Sequence, residues 1–395
     1  MTPTAADLRA AFDAPEPLTL GLEEELMLLD AETLDLLPRA AEVVEAAADE
    51  RAKVELPAAQ LELTVPPTRT VADAAAALAD ARRALAAAAA PVGRLAAAGV
   101  HPFADPVGVL NRGDRYDETA RTYGEMARRQ LVCALQVHVA VGGADRSLAV
   151  YNALRPWLPV IAALAANAPY HGGRDTGMES IRPKISELLP RQGIPPALSS
   201  WEAFADALRW GAASGAVPEP RRWWWELRPH PAFGTLEVRV PDAQATVRDA
   251  TAVAALVHCL AAWLAERHDE GAPARVFDTW RLEENRWSAA RWGMEACFAD
   301  HDTGARTPAR EVLAALLETL GPVAERLRCT EELAGVAELA AANGAVRQRA
   351  AGSPRAATAW LADAYVPSGA YASTATGRAG SSCPRLRARR RGSPE

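Results

Sequence analysis

Four short segments of this chain alternate in polarity, and each gathers its acidic or hydrogen-bonding residues on one side. Leu18–Leu29 puts Thr19, Gly21, Glu23, Glu25 and Met27 on one face and Leu20, Leu22, Leu26 and Leu28 on the other. Ala59–Val65 sets Gln60, Glu62 and Thr64 against Leu61, Leu63 and Val65. Leu131–Val141 sets Gln136 and His138 against Cys133, Leu135, Val137 and Val139, and Thr235–Val240 sets Thr235, Glu237 and Arg239 against Leu236, Val238 and Val240. Side chains alternate across a strand, so this period predicts four strands, each with an apolar core face and a polar face. Glu24 breaks the pattern by falling on the leucine side, which an edge position or a salt bridge would accommodate.

Between these strands the chain is rich in alanine, the best helix former. Helices are predicted near Val71–Gly99, Asp145–Ala166, Trp201–Gly211, Ala250–Glu266, Pro308–Leu320 and Thr330–Ala351. No strand–helix–strand alternation carries a GxGxxG or GxxxxGK loop, so neither a dinucleotide fold nor a P-loop is supported. Strands that return at irregular intervals predict an α+β fold built on a largely antiparallel sheet with helices packed on one face. One domain over residues 15–365 is expected, since no Pro/Gly/Ser linker divides it.

The polar faces carry carboxylates, glutamines, a histidine and one arginine, but no lysine. An ordinary solvated sheet face is the plain alternative, and each strand taken singly favours it. Taken together they fit it less well. Glu23 and Glu25 share a side of one strand ~7 Å apart, where two charges repel by roughly 2 kcal/mol at an effective dielectric near 20. Adding Glu62, Glu237 and Glu55 calls for a cation, and oxygen ligands with one imidazole suit Mg²⁺ or Mn²⁺.

Composition narrows the partners. The 395 residues hold 43 Lys+Arg against 50 Asp+Glu, a net charge of −7 that argues against nucleic acid. The best uncharged window, Pro156–Gly173, is broken by Pro159, Asn167, Pro169 and His171 and falls short of the ~20 apolar residues that span a bilayer, so no membrane partner is expected. No secretory leader pattern opens the chain. Five dispersed cysteines without CxxC spacing read as buried thiols in a reducing cytoplasm. From about residue 366 the sequence turns to Gly, Ser and Arg and is expected to be a disordered basic tail. His258, on an Ala/Leu-rich helix, reads as a core histidine, and Trp223–Trp225 with Trp280, Trp287 and Trp292 read as core and pocket wall.

Seven ordered blocks then carry a family resemblance. GLEEEL (Gly21–Leu26), VELPAAQLEL (Val54–Leu63), HPF (His101–Phe103) and ARRQLVCALQVHVAVG (Ala127–Gly142) resemble the bacterial carboxylate–amine ligases of the glutamate–cysteine ligase family. So do LRPWLPVIAALAANAPYHGGRDTGMESIR (Leu154–Arg182), WWELRPHPAFGTLEVRVPD (Trp224–Asp242) and ENRWSAARWGME (Glu284–Glu295). The resemblance implies a fold similar to the catalytic domain of glutamine synthetase, a curved antiparallel sheet with its active site on the concave face. It implies ATP-dependent amide formation through an acyl phosphate, joining the γ-carboxylate of L-glutamate to L-cysteine, with amino-acid substrates as partners and a homo-oligomer left open.

By the same resemblance Glu23, Glu25, Glu55, Glu62 and Glu237 look like metal ligands, and His138 looks like a ligand or a phosphate contact. Arg239 looks like the cation that stabilises the transferring phosphoryl group, which suits an always-charged planar fork. Arg174 and Arg228 are candidates for gripping a substrate carboxylate or phosphate. Arg182, Asn285 and Arg291 are candidates for the nucleotide, although Asn285 and Arg291 could equally pin a helix. Gln136 stands where many relatives have histidine, while Ala168 and His171 replace the more usual serine and tryptophan, which leaves the amine open. A metal-dependent phosphohydrolase or phosphotransferase and a non-catalytic binding protein are the competing readings.

Overall fold

All four alternating segments form strands, with ends shifted by a few residues, in a computed structural model that describes residues 2–272 and 275–366. In chain order the strands are β1 (Leu20–Leu29), β2 (Ala52–Val54), β3 (Gln60–Thr68), β4 (Arg94–Ala96) and β5 (Leu135–Val139). A separate hairpin follows, β6 (Tyr170–His171) and β7 (Arg174–Asp175), and then β8 (Leu227–His230) and β9 (Thr235–Val238) return to the main sheet. A last pair, β10 (Cys297–Ala299) and β11 (Arg306–Pro308), stands on its own. The main sheet runs β2-β3-β1-β5-β9-β8, with β4 paired to the end of β1. Every pairing in it is antiparallel, and the fold is α+β.

The leucine faces pack against helices. Thr70 and Thr246 start the two innermost ones, Val71–Ala89 and Val247–Asp269, each accepting a backbone N–H from an aspartate three residues on. Val247–Asp269 is long and apolar enough by composition to cross a membrane, but 89% of its most apolar window is buried within the protein. His258 on that helix is a core residue, its Nε2 on the Leu18 carbonyl oxygen at 2.8 Å. Cys259 meets Cys329 in the same core with sulfurs 3.4 Å apart, both as free thiols.

Two predicted helices are interrupted. Asp145–Ala166 divides into Ala144–Leu154, a tight turn Arg155–Trp157, and Leu158–Leu164, because Pro156 and Pro159 cannot donate within one continuous helix. Thr330–Ala351 breaks before Gly344, where the Asn343 side chain caps a new start at Val346 N. The tryptophan expectation needs correction: Trp280 is 64% exposed and Trp287 and Trp292 are 44% exposed, so these three are not core. The expected basic tail over 366–395 lies, from residue 367 onward, outside the described residues.

Glu24 is resolved as a salt bridge, not an edge residue. It lies on the central strand, fully buried with Arg82 at 0% side-chain exposure each. Arg82 Nε donates to Glu24 Oε2 at 2.8 Å and Nη2 donates to Oε1. The remaining donors reach the carbonyl oxygens of Gln244 at 2.7 Å, Ala245 at 3.1 Å and Tyr365 at 3.3 Å. A guanidinium has five N–H groups, so Arg82 is saturated.

Candidate active site

Register places the polar residues of five strands side by side. Glu25 on β1 sits opposite Glu62 on β3, Glu23 opposite Gln136 on β5, and Gly21 opposite His138. His138 in turn faces Glu237 on β9, and Glu237 faces Arg228 on β8. Gly234 makes the turn between β8 and β9 at φ +63°, where a Cβ would collide with the Ala11 carbonyl oxygen. Glycine alone fits that turn, which sets the hairpin carrying Arg228 and Glu237. Over this face lies a cleft of about 1000 Å³, lined by Glu23, Glu25, Glu55, Glu62, Arg182, Arg228 and Arg239 among others.

One side of the cleft has its charges matched. Glu237 is fully buried and accepts from Arg228 Nε at 2.6 Å and Nη2 at 2.9 Å, with Arg239 as a second cation. Burial alone would raise its pKa, but the two guanidiniums override burial and hold it far below the usual carboxylate range. Arg239 Nη1 also donates to Gln136 Oε1 at 2.7 Å, and Gln136 Nε2 donates to Glu25 Oε1 at 3.1 Å. Gln136 therefore links the arginine side to the carboxylate side.

The other side is short of positive charge. Burial pushes Glu62 up to about 7, with Glu23 and Glu25 adding repulsion, while Lys53 at 3.7 Å offsets only part of it. Burial also drives Glu55 well above the usual range, helped by Glu62 and Glu25. Burial raises Glu25 against the pull of Arg239 and of the Ala134 N–H, which donates to its Oε2 at 2.6 Å. Glu23 is the exception: burial would raise it, but its interaction with the nearby His138 ring brings it below its ordinary value.

His138 Nδ1 meets Thr235 Oγ1 at 3.0 Å, while its buried Nε2 has no hydrogen-bond partner and lies 3.6 Å from Glu23 Oε1. Glu23, His138 and Glu237 offer ligand atoms all within 4.8 Å of one another. A face with three carboxylates held above their ordinary range and one unpartnered imidazole nitrogen fits a hard divalent cation.

Not every expected residue joins this group. Arg182 lines the cleft, yet its guanidinium is held by Asp242 Oδ1 at 2.7 Å and the Val240 carbonyl at 2.6 Å. Arg174 lies exposed on β7, away from the cleft lining. Arg291 donates to the Gly177 carbonyl, which ties its helix to the loop following β7. Asn285 bonds both backbone groups of Ala299 on β10, at 2.8 and 2.9 Å, and lines a separate cavity. Asn285 and Arg291 thus pin a helix, the second of the two readings open to them.

The cleft also holds residues that alternation did not point to. His230 stacks on Phe233 with ring centroids 4.3 Å apart and planes 8° from parallel, and both line the cleft. Burial lowers the His230 pKa to about 4, so the ring is neutral near pH 7. Arg115, Arg221 and Arg222 add cations to the cleft walls. These residues sit in turns and at element ends, where no period marks a face.

The sequence profile of glutamate–cysteine ligase family 2 (GCS2) matches residues 19–354. A Rubrobacter xylanophilus protein provisionally named glutamate–cysteine ligase 2-3 is 38% identical over 368 residues, covering 90% of this chain and 99% of that one. A Gloeobacter violaceus protein provisionally named glutamate–cysteine ligase 2 is 33% identical over 351 residues, with coverages of 86% and 93%. Among solved structures, Francisella tularensis glutamate–cysteine ligase in complex with AMP is similar with a TM-score of 0.65 at 11% identity, over 88% of each chain. A bifunctional glutathione synthetase from Pasteurella multocida gives a TM-score of 0.63 at 16% identity, over 91% of this chain and 53% of that one. The structural likenesses speak for the fold, and the sequence matches for the lineage. This chain is a ligase enzyme and belongs to glutamate–cysteine ligase family 2.

Proposed function

We propose that the cleft joins a carboxylate to an amine at the expense of ATP, with the γ-carboxylate of L-glutamate and the amino group of L-cysteine as substrates. The observation that carries the reading is the division of one cleft into unmatched carboxylates, Glu25, Glu55 and Glu62, and the guanidiniums of Arg228 and Arg239. A divalent cation would supply the charge that the carboxylates lack, and a nucleoside triphosphate would meet the surplus left where two guanidiniums share the single Glu237 carboxylate. The AMP in the Francisella tularensis relative supports a nucleotide in this fold.

In the proposed reaction a substrate carboxylate oxygen attacks the γ-phosphorus of ATP, ADP leaves, and an acyl phosphate forms. The amine nitrogen then attacks the acyl carbon, phosphate leaves, and the nitrogen loses a proton to give the amide. Such transfer depends mainly on positioning and charge stabilisation. Mg²⁺ or Mn²⁺ held by Glu23, Glu25, Glu55 and Glu62, with His138 and Glu237 at the border, would neutralise the polyphosphate charge. Arg239 presents a planar fork fixed by Glu237 and Gln136, so it meets developing phosphoryl charge without reorganising. Arg228 holds Glu237 from the far side and keeps that fork in place.

The test is ADP release in Mg²⁺ against amino acids supplied singly and in pairs. Release that needs both a carboxylate and an amine supports the ligase, whereas phosphate release indifferent to the amine marks a hydrolase and overturns it. Arg239→Ala is expected to lower kcat ~10³-fold. Arg239→Lys should restore little, because lysine lacks the fork. Glu237→Gln should raise the Mg²⁺ concentration needed for half-maximal rate. Near-normal kcat in Arg239→Ala would remove Arg239 from the proposed chemistry.

A further inference from the structure

A second cavity, of about 460 Å³, lies within the helical layer and shares no lining residue with the cleft. Its walls are aromatic. Trp157 and Trp263 meet edge to face with centroids 6.3 Å apart, and Phe277 lies against His301 at 4.8 Å. Burial lowers the His301 pKa below its ordinary value, so that ring adds a neutral surface near pH 7. Asn285 closes the floor with its amide already paired to both backbone groups of Ala299. The floor is therefore fixed by hydrogen bonds before anything binds, and the volume falls in the range of small-molecule sites.

The charged groups at the lining are unequal. Asp300 turns its carboxylate into its own loop, accepting from Thr303 N at 2.8 Å, Thr303 Oγ1 at 2.8 Å and Asp302 N at 3.2 Å. Arg275 is paired with Asp302 at 2.6 Å. Arg267 stands over the Trp263 ring, 5.9 Å from its centroid, and among the described residues no carboxylate lies within 4.0 Å of its guanidinium. His268 beside it adds a second nitrogen base without a carboxylate partner among the described residues. The cavity thus offers apolar, flat-sided walls and one guanidinium with no countercharge.

We propose that this cavity is a second binding site, for a small planar aromatic carboxylate, with its ring against the Trp157–Trp263 wall and its carboxylate on Arg267. A neutral aromatic would leave Arg267 unanswered. A polyphosphate would bring several charges to a mouth with one available guanidinium, and its sugar would gain little from aromatic walls. A charge-assisted contact to a carboxylate beside an aromatic wall uses both features at once.

The probe is 2-naphthoate, titrated by calorimetry and by tryptophan fluorescence into the full chain, with its neutral amide, 2-naphthamide, as the second arm. The acid is expected to bind at one site, roughly tenfold more tightly than the amide. Arg267→Gln should weaken the acid by about the same factor and erase the difference between the two compounds. Arg267 is exposed, so this variant should fold normally. Ala153→Phe, which fills the cavity from the helix Ala144–Leu154, should abolish binding of both compounds. If Ala153→Phe does not fold, Arg267→Gln decides alone. No saturable binding up to about 1 mM, or binding that both variants leave unchanged, overturns the proposal; the second result would place the anion on the arginines of the cleft instead.

Discussion

Glu24 and Glu25 are neighbours on one strand, with side chains on opposite faces of one sheet, and they have opposite fates. Behind the sheet, Glu24 meets a guanidinium whose five donors are all used, so a buried charge is fully answered. In front, Glu25 sits with Glu55 and Glu62 under too little positive charge, and burial raises all three. Residue type and strand are the same, so the difference is the countercharge. An answered carboxylate fastens layers together, whereas unanswered ones keep a site ready for a cation.

The largest effect should come from breaking the answered side. Glu24→Gln leaves Arg82 buried without its anion and should lower stability by about 3–5 kcal/mol, read as a fall in the urea midpoint. A loss under about 1 kcal/mol would mean that the pair behaves like a surface ion pair, and the contrast would fail. The unanswered side should respond in the other direction. Mg²⁺ at a hundred times its dissociation constant should stabilise the chain by about 2.7 kcal/mol. Glu25→Gln should leave the metal-free protein at least as stable as the parent while shrinking that gain. Thermal melts in EDTA and in Mg²⁺ measure both.

A third test uses pH. The folded pKa of Glu62 is raised from 4.5 to about 7, so the folded state binds its proton more tightly than the unfolded state does. This contribution to stability is fully present below about pH 4.5 and is lost as pH rises toward 7. In EDTA the urea midpoint should therefore carry a component falling across that window, and Glu62→Gln should remove it. A midpoint whose slope is the same in parent and variant would show that Glu62 is not under strain. The smallest effect is expected from Lys53→Gln. Lys53 is 58% exposed, so losing its pairing with Glu62 should cost under about 1 kcal/mol. It should also carry the Glu62 transition to higher pH.

The sheet's working face was legible because alternation over five or more residues fixes which side each residue takes, as in β1, β3 and β5. The strands β2, β4 and β8 were not legible, since three or four residues hold no period and depend on the neighbours they pair with. Arg82 lies 58 residues from Glu24 in an alanine-rich helix, so the sequence could indicate that Glu24 needed a partner but not which one. The ENRW block marked Asn285 and Arg291 as important without saying for what, because fastening a backbone and holding a ligand use the same polar side chains. His230 and Phe233 were quoted within a block, but only the turn geometry brings their stacked rings to the cleft.

The reach of Arg82 also bears on how the chain is made. Its partners are Glu24, the Gln244 and Ala245 carbonyls, and the carbonyl of Tyr365, whose ring it also faces at 4.9 Å. On the ribosome Arg82 follows Glu24 by 58 residues, but the last of those oxygens appears only after more than 280 further residues have been added. Until then the helix Val71–Ala89 carries a guanidinium that the growing chain cannot fully satisfy. The last bond of this network therefore waits for residue 365, and a nascent chain stopped before it should remain more open to proteases and chaperones even with every strand of the sheet already translated.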